Sequence, residues 1–131
     1  MSDAVNDSLV ISIDAMGGDH GPAIVVPGVA AAAEQLPGVR FILHGDEALL
    51  GPEVAKRSVL LGRVEVRHTD KTVASDEKPA QAMRRSKGTS MWNAIECVKS
   101  GEAKAAVSAG NTGALMAISK LQLRMCVDID R

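Results

Sequence analysis

A short apolar, β-branched run, Leu9-Val-Ile-Ser-Ile13, stops abruptly at Asp14 and passes through Gly17, Gly18 and Gly21 into Pro22 and an alanine-rich segment. This junction constrains the fold more than any other feature. The run reads as a buried strand, the glycines as a tight loop, and Pro22 as the first turn of a helix, where its missing N–H has no intrahelical partner. The helix is predicted to reach Leu36, bend near Pro27 and end at Pro37-Gly38. The same pattern then recurs. Val39 to Leu43 reads as a second strand, Asp46 to Ser58 as a polar-faced helix interrupted around Gly51-Pro52, and Val64 to Val66 as a third strand. Strands alternating with helices imply an α/β fold, a mostly parallel sheet covered by helices on both faces in three αβα layers.

From Thr69 to Lys78 the chain is polar and aperiodic, after which Pro79 to Arg85 and Thr89 to Lys99 read as helices separated by Ser86-Lys87-Gly88. Gly101 closes the second of these, Ala105 to Val107 forms a small-residue strand ending at Ser108, and Asn111 or Thr112 opens an apolar helix towards Leu123. The last residues, Asp128-Ile129-Asp130-Arg131, give no sign that the sheet is finished. The expectation is a disordered tail over 1–8 and, over 9–131, the N-terminal part of a single α/β domain whose C-terminal remainder is absent.

Composition removes several classes of function. At 46% hydrophobic the chain is too apolar for disorder, and 15 Lys+Arg against 16 Asp+Glu give no electrostatic drive towards nucleic acid. One Trp, one Phe and no Tyr leave no stacking platform for bases. Met1 to Asp7 is acidic and polar, the wrong order for a secretory signal. The longest apolar stretch, Ala23 to Ala33, is broken by Pro27 and Gly28 and falls short of the ~18 residues needed to span a bilayer, so a cytoplasmic location is expected. Cys97 and Cys126 are too few and too far apart for a zinc knuckle, and Cys97 reads as a buried inert thiol. His44 and His68 end strands without partners at ligand spacing, so no metal is expected, and Met116 and Met125 read as core.

Open parallel sheets bind ligands beyond the carboxyl ends of their strands, where loops and helix N-termini converge. Two turns qualify: Asp14 to Pro22, and Ser108-Ala-Gly110-Asn111-Thr112-Gly113, which adds hydroxyl and amide donors to a helix start whose dipole favours an anion. Neither is a P-loop or a dinucleotide fingerprint, since Lys87-Gly88-Thr89 reverses Lys and Gly and the first turn reads Gly-Gly-x-x-Gly. One such turn needs no ligand, because glycine can serve merely to supply positive φ; two at matching strand ends point to an anion site. Between them lies Arg84-Arg85-Ser86-Lys87, readable either as a solvated helix end or as a cationic contact for phosphate or an acidic partner. His20, inside the first turn, could hold or protonate a reacting group or stabilise the turn.

The stretch Ile11-Ser-Ile-Asp14-Ala-Met-Gly17-Gly18-Asp19-His20-Gly21-Pro22, with Val107-Ser108-Ala-Gly110-Asn111-Thr112-Gly113-Ala-Leu-Met116, closely resembles the signatures of the bacterial phosphate acyltransferases. Arg84 to Met91 resembles their basic stretch but departs at Ser86-Lys87-Gly88-Thr89, where the family more often has further lysines and an acidic residue. The resemblance implies acyl transfer from acyl-acyl carrier protein to inorganic phosphate, giving acyl phosphate for phospholipid biosynthesis, with no cofactor. It implies a fold like that of phosphotransacetylases and isocitrate/isopropylmalate dehydrogenases, and a cytoplasmic homodimer associated peripherally with the membrane. A membrane-bound glycerol-phosphate acyltransferase is an implied partner, and no nucleic acid is. Members of the family are longer, so these residues alone are expected to be inactive and to expose apolar surface. Because phosphate is already anionic at neutral pH and a thiol has a pKa of about 8.5, positioning and oxyanion stabilisation are expected to outweigh acid–base catalysis. On this reading Asn111, His20 and Lys87 are catalytic, and Gly17, Gly18, Ser108, Gly110, Thr112, Gly113, Arg84 and Arg85 bind phosphate or the carrier. The alternatives are a short-chain acyl-CoA phosphotransacetylase-like enzyme, a dehydrogenase, against which the lack of a carboxylate cluster argues, and a non-enzymatic anion-binding module.

Overall fold

In the computed structural model, which describes residues 9–18 and 20–124, the first strand, β1 (Val10–Asp14), is followed by helix α1 (Pro22–Gln35). Then come β2 (Arg40–Gly45), α2 (Glu47–Ala55), a 3-10 turn (Ser58–Leu60), β3 (Val64–His68), α3 (Pro79–Arg84), α4 (Ser90–Lys99), β4 (Ala105–Ser108) and α5 (Thr112–Leu123). The four strands form one sheet in the order β3-β2-β1-β4, every pair parallel. Three layers result, as the alternation of runs and loops predicts. β2 is buried along both faces, Phe41 and Leu43 meeting α1 and α2 while Ile42 packs with Cys97 and Ala103 beneath α4. A strand of that kind reads as an unbroken apolar run because helices cover both its sides.

On one face, Val26, Val29 and Ala33 of α1 and Leu50 of α2 pack on Ile13, Phe41 and Leu43. On the other, α4 lies on the sheet, and Met91 and Ile95 join Ala82 of α3 with Ala114 and Ile118 of α5 in a second apolar cluster. Arg63 ties the first layer to the sheet, its guanidinium donating to the carbonyls of Ala33 (2.8 Å) and Val39 (2.8 Å) and also to that of Leu36. Pro22 opens α1 as expected, and Thr89 and Asn111 cap α4 and α5.

Two local expectations are corrected. Helix α2 runs through Gly51-Pro52 without interruption and ends at Ala55, separated from the 3-10 turn. Asp46 caps the Ala48 amide at 2.9 Å, Leu50 anchors the helix in the core, and the Pro52 carbonyl still accepts from Lys56, so the loss of one N–H is tolerated. Met116 is 53% exposed rather than core. Helix α5 buries Ala114, Ile118 and Gln122, a four-residue spacing, and a residue two positions from Ala114 is turned about 200° to the opposite side. Met125, Cys126, Asp19, the 1–8 tail and the last residues lie outside the described residues.

Candidate functional site at the β1–β4 crevice

From β1 the chain steps outward to β2 and β3, then crosses back to lay β4 on the other side of β1. Helix α1 therefore leaves β1 towards one face while α5 leaves β4 towards the other, and their loops part over the carboxyl ends of two neighbouring strands. Open α/β sheets bind ligands at such a switch point.

Asp14 and Ser108, the last residues of these strands, are partners in register. The Ser108 hydroxyl donates to Asp14 Oδ2 at 2.8 Å and accepts from the Gly110 amide at 3.1 Å, while Asp14 Oδ1 accepts from the Met16 amide at 3.1 Å. Asp14 is 3% exposed, and no cation pairs with it among the described residues. A buried carboxylate is costly unless hydrogen bonds compensate it, and here its donors are the two loops it aligns. Gly17 lies directly against this array: a Cβ there would come within 2.8 Å of the Gly110 nitrogen and 3.0 Å of both Asp14 Oδ2 and Ser108 Oγ. The two backbones touch because neither residue carries a side chain. Gly18 and Gly21 hold φ of 83° and 51°, which glycine alone adopts without strain. We expect Gly17→Ala to force the loops apart and cost about 1–3 kcal/mol. The contrast is Gly51→Ala in α2, where an added Cβ meets nothing within 4 Å and helix propensity is expected to add about 0.5–1 kcal/mol. Urea midpoints of the two variants should move in opposite directions.

The structure brings Gly17, Ser108 and Gly110 into contact and adds Asp14, to which the sequence reading gave no role. The available signal was an acidic residue closing a buried strand beside a glycine turn. Asn111 is buried, with both ends of its amide engaged: Oδ1 accepts from Ala114, and Nδ2 donates to the carbonyls of Ala74 (3.1 Å) and Glu77. It clamps the 74–77 segment to the start of α5. Arg85 completes the clamp through two 2.8 Å bonds to Glu77, which hold that carboxyl below its usual range. Of the remaining cations in the basic stretch, Arg84 and Lys87 are exposed, and the Ser86 hydroxyl is turned inward to the Met83 carbonyl. Thr69 donates to the Gly88 carbonyl at 2.7 Å, and the Ser90 amide to that of Lys71 at 2.9 Å, tethering this basic turn to the segment that follows β3, at the same carboxyl end of the parallel strands but on the opposite outer strand from β4. Thr112 is exposed at the first position of α5, where it and Gly113 lack intrahelical acceptors for their amides. Gly113 also serves packing, since a Cβ there would lie 2.6 Å from Pro79 Cγ. His20 is exposed at the outer end of the first loop. Cys97 is buried, its thiol pushed up by burial, the setting of an inert thiol.

Residues 9–131 match the protein family described as "Fatty acid synthesis protein". The chain belongs to this family. Two curated relatives, the phosphate acyltransferases of Phenylobacterium zucineum and Caulobacter vibrioides, are each 65% identical over 127 residues. The match covers 97% of this chain and 36% and 35% of theirs. The phosphate acyltransferase of Cereibacter sphaeroides strain KD131 is 57% identical over 123 residues, 94% of this chain and 33% of its own. The chain thus spans about a third of the length of these relatives. The portion shared with the fatty acid synthesis family includes both glycine loops, the basic stretch and the whole of the described sheet.

Proposed function

We propose that these residues form the phosphate-binding wall of an enzyme that transfers a fatty acyl group from acyl-acyl carrier protein to inorganic phosphate, supplying acyl phosphate for phospholipid biosynthesis. The observation that carries the reading is the crevice in which Asp14, Ser108 and Gly110 lock two glycine loops together at the switch point. The names of the relatives give the reaction class. A phosphate oxygen attacks the thioester carbonyl carbon, so the C–O bond forms and the carbonyl pair moves onto oxygen; the tetrahedral oxyanion then collapses, re-forming C=O as the C–S bond breaks, and the leaving thiolate takes its proton from solvent. The nucleophile is an anion already and the leaving group is moderately acidic, so the protein's task is to orient and to neutralise charge. The Thr112 and Gly113 amides, with Gly18 and the Thr112 hydroxyl, supply donors to phosphate and oxyanion. Arg84 and Lys87 draw in anions, and His20 stands at the mouth. Asn111 and Arg85 act as positioning residues, and no covalent enzyme intermediate is needed.

The same proposal includes a homodimer, peripheral membrane association and consumption of the product by a membrane-bound glycerol-phosphate acyltransferase. No helix among the described residues is long and apolar enough to cross a membrane. To test the reaction, the 131 residues replace the corresponding segment of the Phenylobacterium relative, and phosphate-dependent release of carrier protein from a long-chain acyl donor is followed, with acyl-CoA in parallel. Release from the carrier-protein donor with stoichiometric acyl phosphate is the expected result. Release from CoA alone would place the chain with the phosphotransacetylases, and phosphate binding without transfer would make it an anion-binding module. Arg84→Ala with Lys87→Ala is expected to raise the KM for phosphate or carrier several-fold, about 1 kcal/mol of exposed attraction, with the difference vanishing at high salt. The 131 residues on their own are expected to give no turnover.

A further inference from the structure

Gly45 closes β2 in ordinary strand backbone, without the positive φ that demands glycine, so the absence of a side chain there is a matter of space. A Cβ on Gly45 would stand 2.7 Å from Met16 Cγ, 2.8 Å from Met16 Sδ and 3.1 Å from Leu50 Cδ1. Non-bonded carbons settle about 3.5–4.0 Å apart, so the thioether already fills the volume that a side chain at 45 would need. Met16 belongs to the first glycine loop, which leaves β1, whereas Gly45 ends the neighbouring strand. The Met16 side chain thus reaches across one strand and lies in a slot between the end of β2 and Leu50 of α2. Gly45 and Leu50 are buried and Met16 is half-buried, so the contact is complete within these residues. Backbone bonds tie the loop down just before the slot: the Ala15 amide donates to the His44 carbonyl at 2.9 Å, and the Met16 amide to Asp14 Oδ1 at 3.1 Å. Gly17 and Gly18 come next, against Gly110 and Ala109 of the second loop, with no side chain of their own to hold them.

We propose that Met16, seated on Gly45, is a positioning residue for phosphate, fixing where the Gly17–Gly18 backbone stands over the crevice. The inference rests on the phosphate-binding reading of that crevice and adds the side chain that sets its geometry. Met16 offers an anion no donor, so it acts through the loop; an unbranched thioether suits a narrow slot. Cγ, one of the two atoms in the way, is a single bond from Cβ, so the side chain cannot make room by swinging its end. A methyl at 45 either shifts the loop backbone, by about 1 Å for a 2.7 Å overlap, or turns Met16 out of the slot. Either way the loop loses its seat, and displacements of about 1 Å in a group that orients substrate are large on the scale of catalysis. Gly45 also accepts the Thr69 amide on its carbonyl at 2.9 Å, so its backbone is pinned and the yielding partner is Met16.

The test sets Gly45→Ala, Met16→Ala, Met16→Leu and the double alanine variant in the chimera with the Phenylobacterium relative. Gly45→Ala and Met16→Ala are each expected to raise the KM for phosphate about tenfold while the KM for the acyl donor stays put, and to weaken inorganic phosphate alone, titrated without acyl donor, by the same factor. Met16→Leu keeps the volume and is expected to recover most of the loss. In the double variant the methyl enters room that Met16 has vacated, so its phosphate KM is expected to be no higher than that of Met16→Ala. In the 131-residue chain the Gly17 and Gly18 amide resonances are expected to shift in Gly45→Ala. A phosphate KM unmoved in both single variants overturns the proposal, as does a fall in kcat with both KM values unchanged, the mark of less folded enzyme. A Gly45→Ala defect that adds in full to that of Met16→Ala assigns the slot to Leu50 and overturns it too. If Gly45→Ala does not fold, Met16→Ala, which introduces no overlap, decides the matter with Met16→Leu as its control. Failure of the acyl-transfer reading shows itself separately: a parent chimera that binds phosphate without releasing carrier protein removes the reaction, and the phosphate titrations of the variants still uphold or overturn the role of Met16.

Discussion

Replacing Asn111 by alanine is expected to destabilise the chain by about 2–4 kcal/mol and to release the 74–77 segment from the second glycine turn. The figure has two parts. Loss of a helix N-cap costs about 1 kcal/mol, and withdrawing donors from two carbonyls, those of Ala74 and Glu77, costs about 0.5–1.5 kcal/mol each. Asn111→Asp separates them. An aspartate keeps an oxygen for the Ala114 amide and so restores the cap, but it sets a carboxylate oxygen against the same two carbonyls. Its stability is therefore expected to recover by no more than the capping share, with the 74–77 amides still exchanging fast. Urea unfolding at constant m-value gives the free energies, and hydrogen exchange reports the segment. If Asn111→Ala unfolds at the urea concentration of the parent chain, the clamp is not a stabilising element, and Asn111 returns to being a free donor for substrate. In the chimera the alanine variant is expected to lower turnover while Arg85→Ala, which frees Glu77 from the same clamp, lowers it less.

Asn111 also marks how far the sequence could be read. Its place before an apolar helix announces a cap, because capping is a local event within four residues. Its two donors reach carbonyls 37 and 34 residues upstream, and no local pattern reports them. The same division holds throughout the chain. Strands buried on both faces betray themselves as apolar runs, and glycine and proline punctuate them, so the three-layer order and the two facing loops were legible. Pro52 was misread as a break because the anchoring of Leu50 in the core, which keeps α2 continuous, is a tertiary fact. Gly113 could be read as ligand-facing from sequence alone; only the position of Pro79 reveals what its missing side chain admits. Asp14 was visible as a strand end, yet its role depends on Ser108, 94 residues away. Family resemblance located the crevice, and geometry divides its residues between those that meet the opening and those that hold it in shape.

Acidification from pH 6.5 to 4 is expected to remove about 3 kcal/mol of stability through a single buried group, His44. Its ring is 2% exposed, on the α4 face of β2, with Nε2 2.9 Å from Ser12 Oγ and 3.6 Å from Cys97 Sγ. Arg67, the residue beside it in register on β3, adds a fixed positive charge held by two bonds to Glu102. Burial first, and Arg67 second, push the histidine down to about 4, with Glu102 and Glu65 opposing weakly. In the unfolded chain the same ring titrates near 6.5. Between these values the unfolded state takes up a proton that the folded state refuses, so stability is complete above the unfolded value, falls with pH through the window, and levels off once the folded ring also charges. The carboxyls of Glu53, Glu77 and Glu102 are all held low by their cationic partners, so their losses begin only as pH approaches the ordinary carboxylate range, leaving pH 5–6.5 to histidine. Unfolding free energies measured in urea at half-unit intervals should therefore slope by about 1.4 kcal/mol per pH unit near pH 5. His44→Gln keeps a polar group opposite Ser12 but cannot titrate, and it should flatten that slope whatever its stability at pH 7. A variant that retains the full slope would place the acid sensitivity elsewhere and show that the ring already charges within the fold.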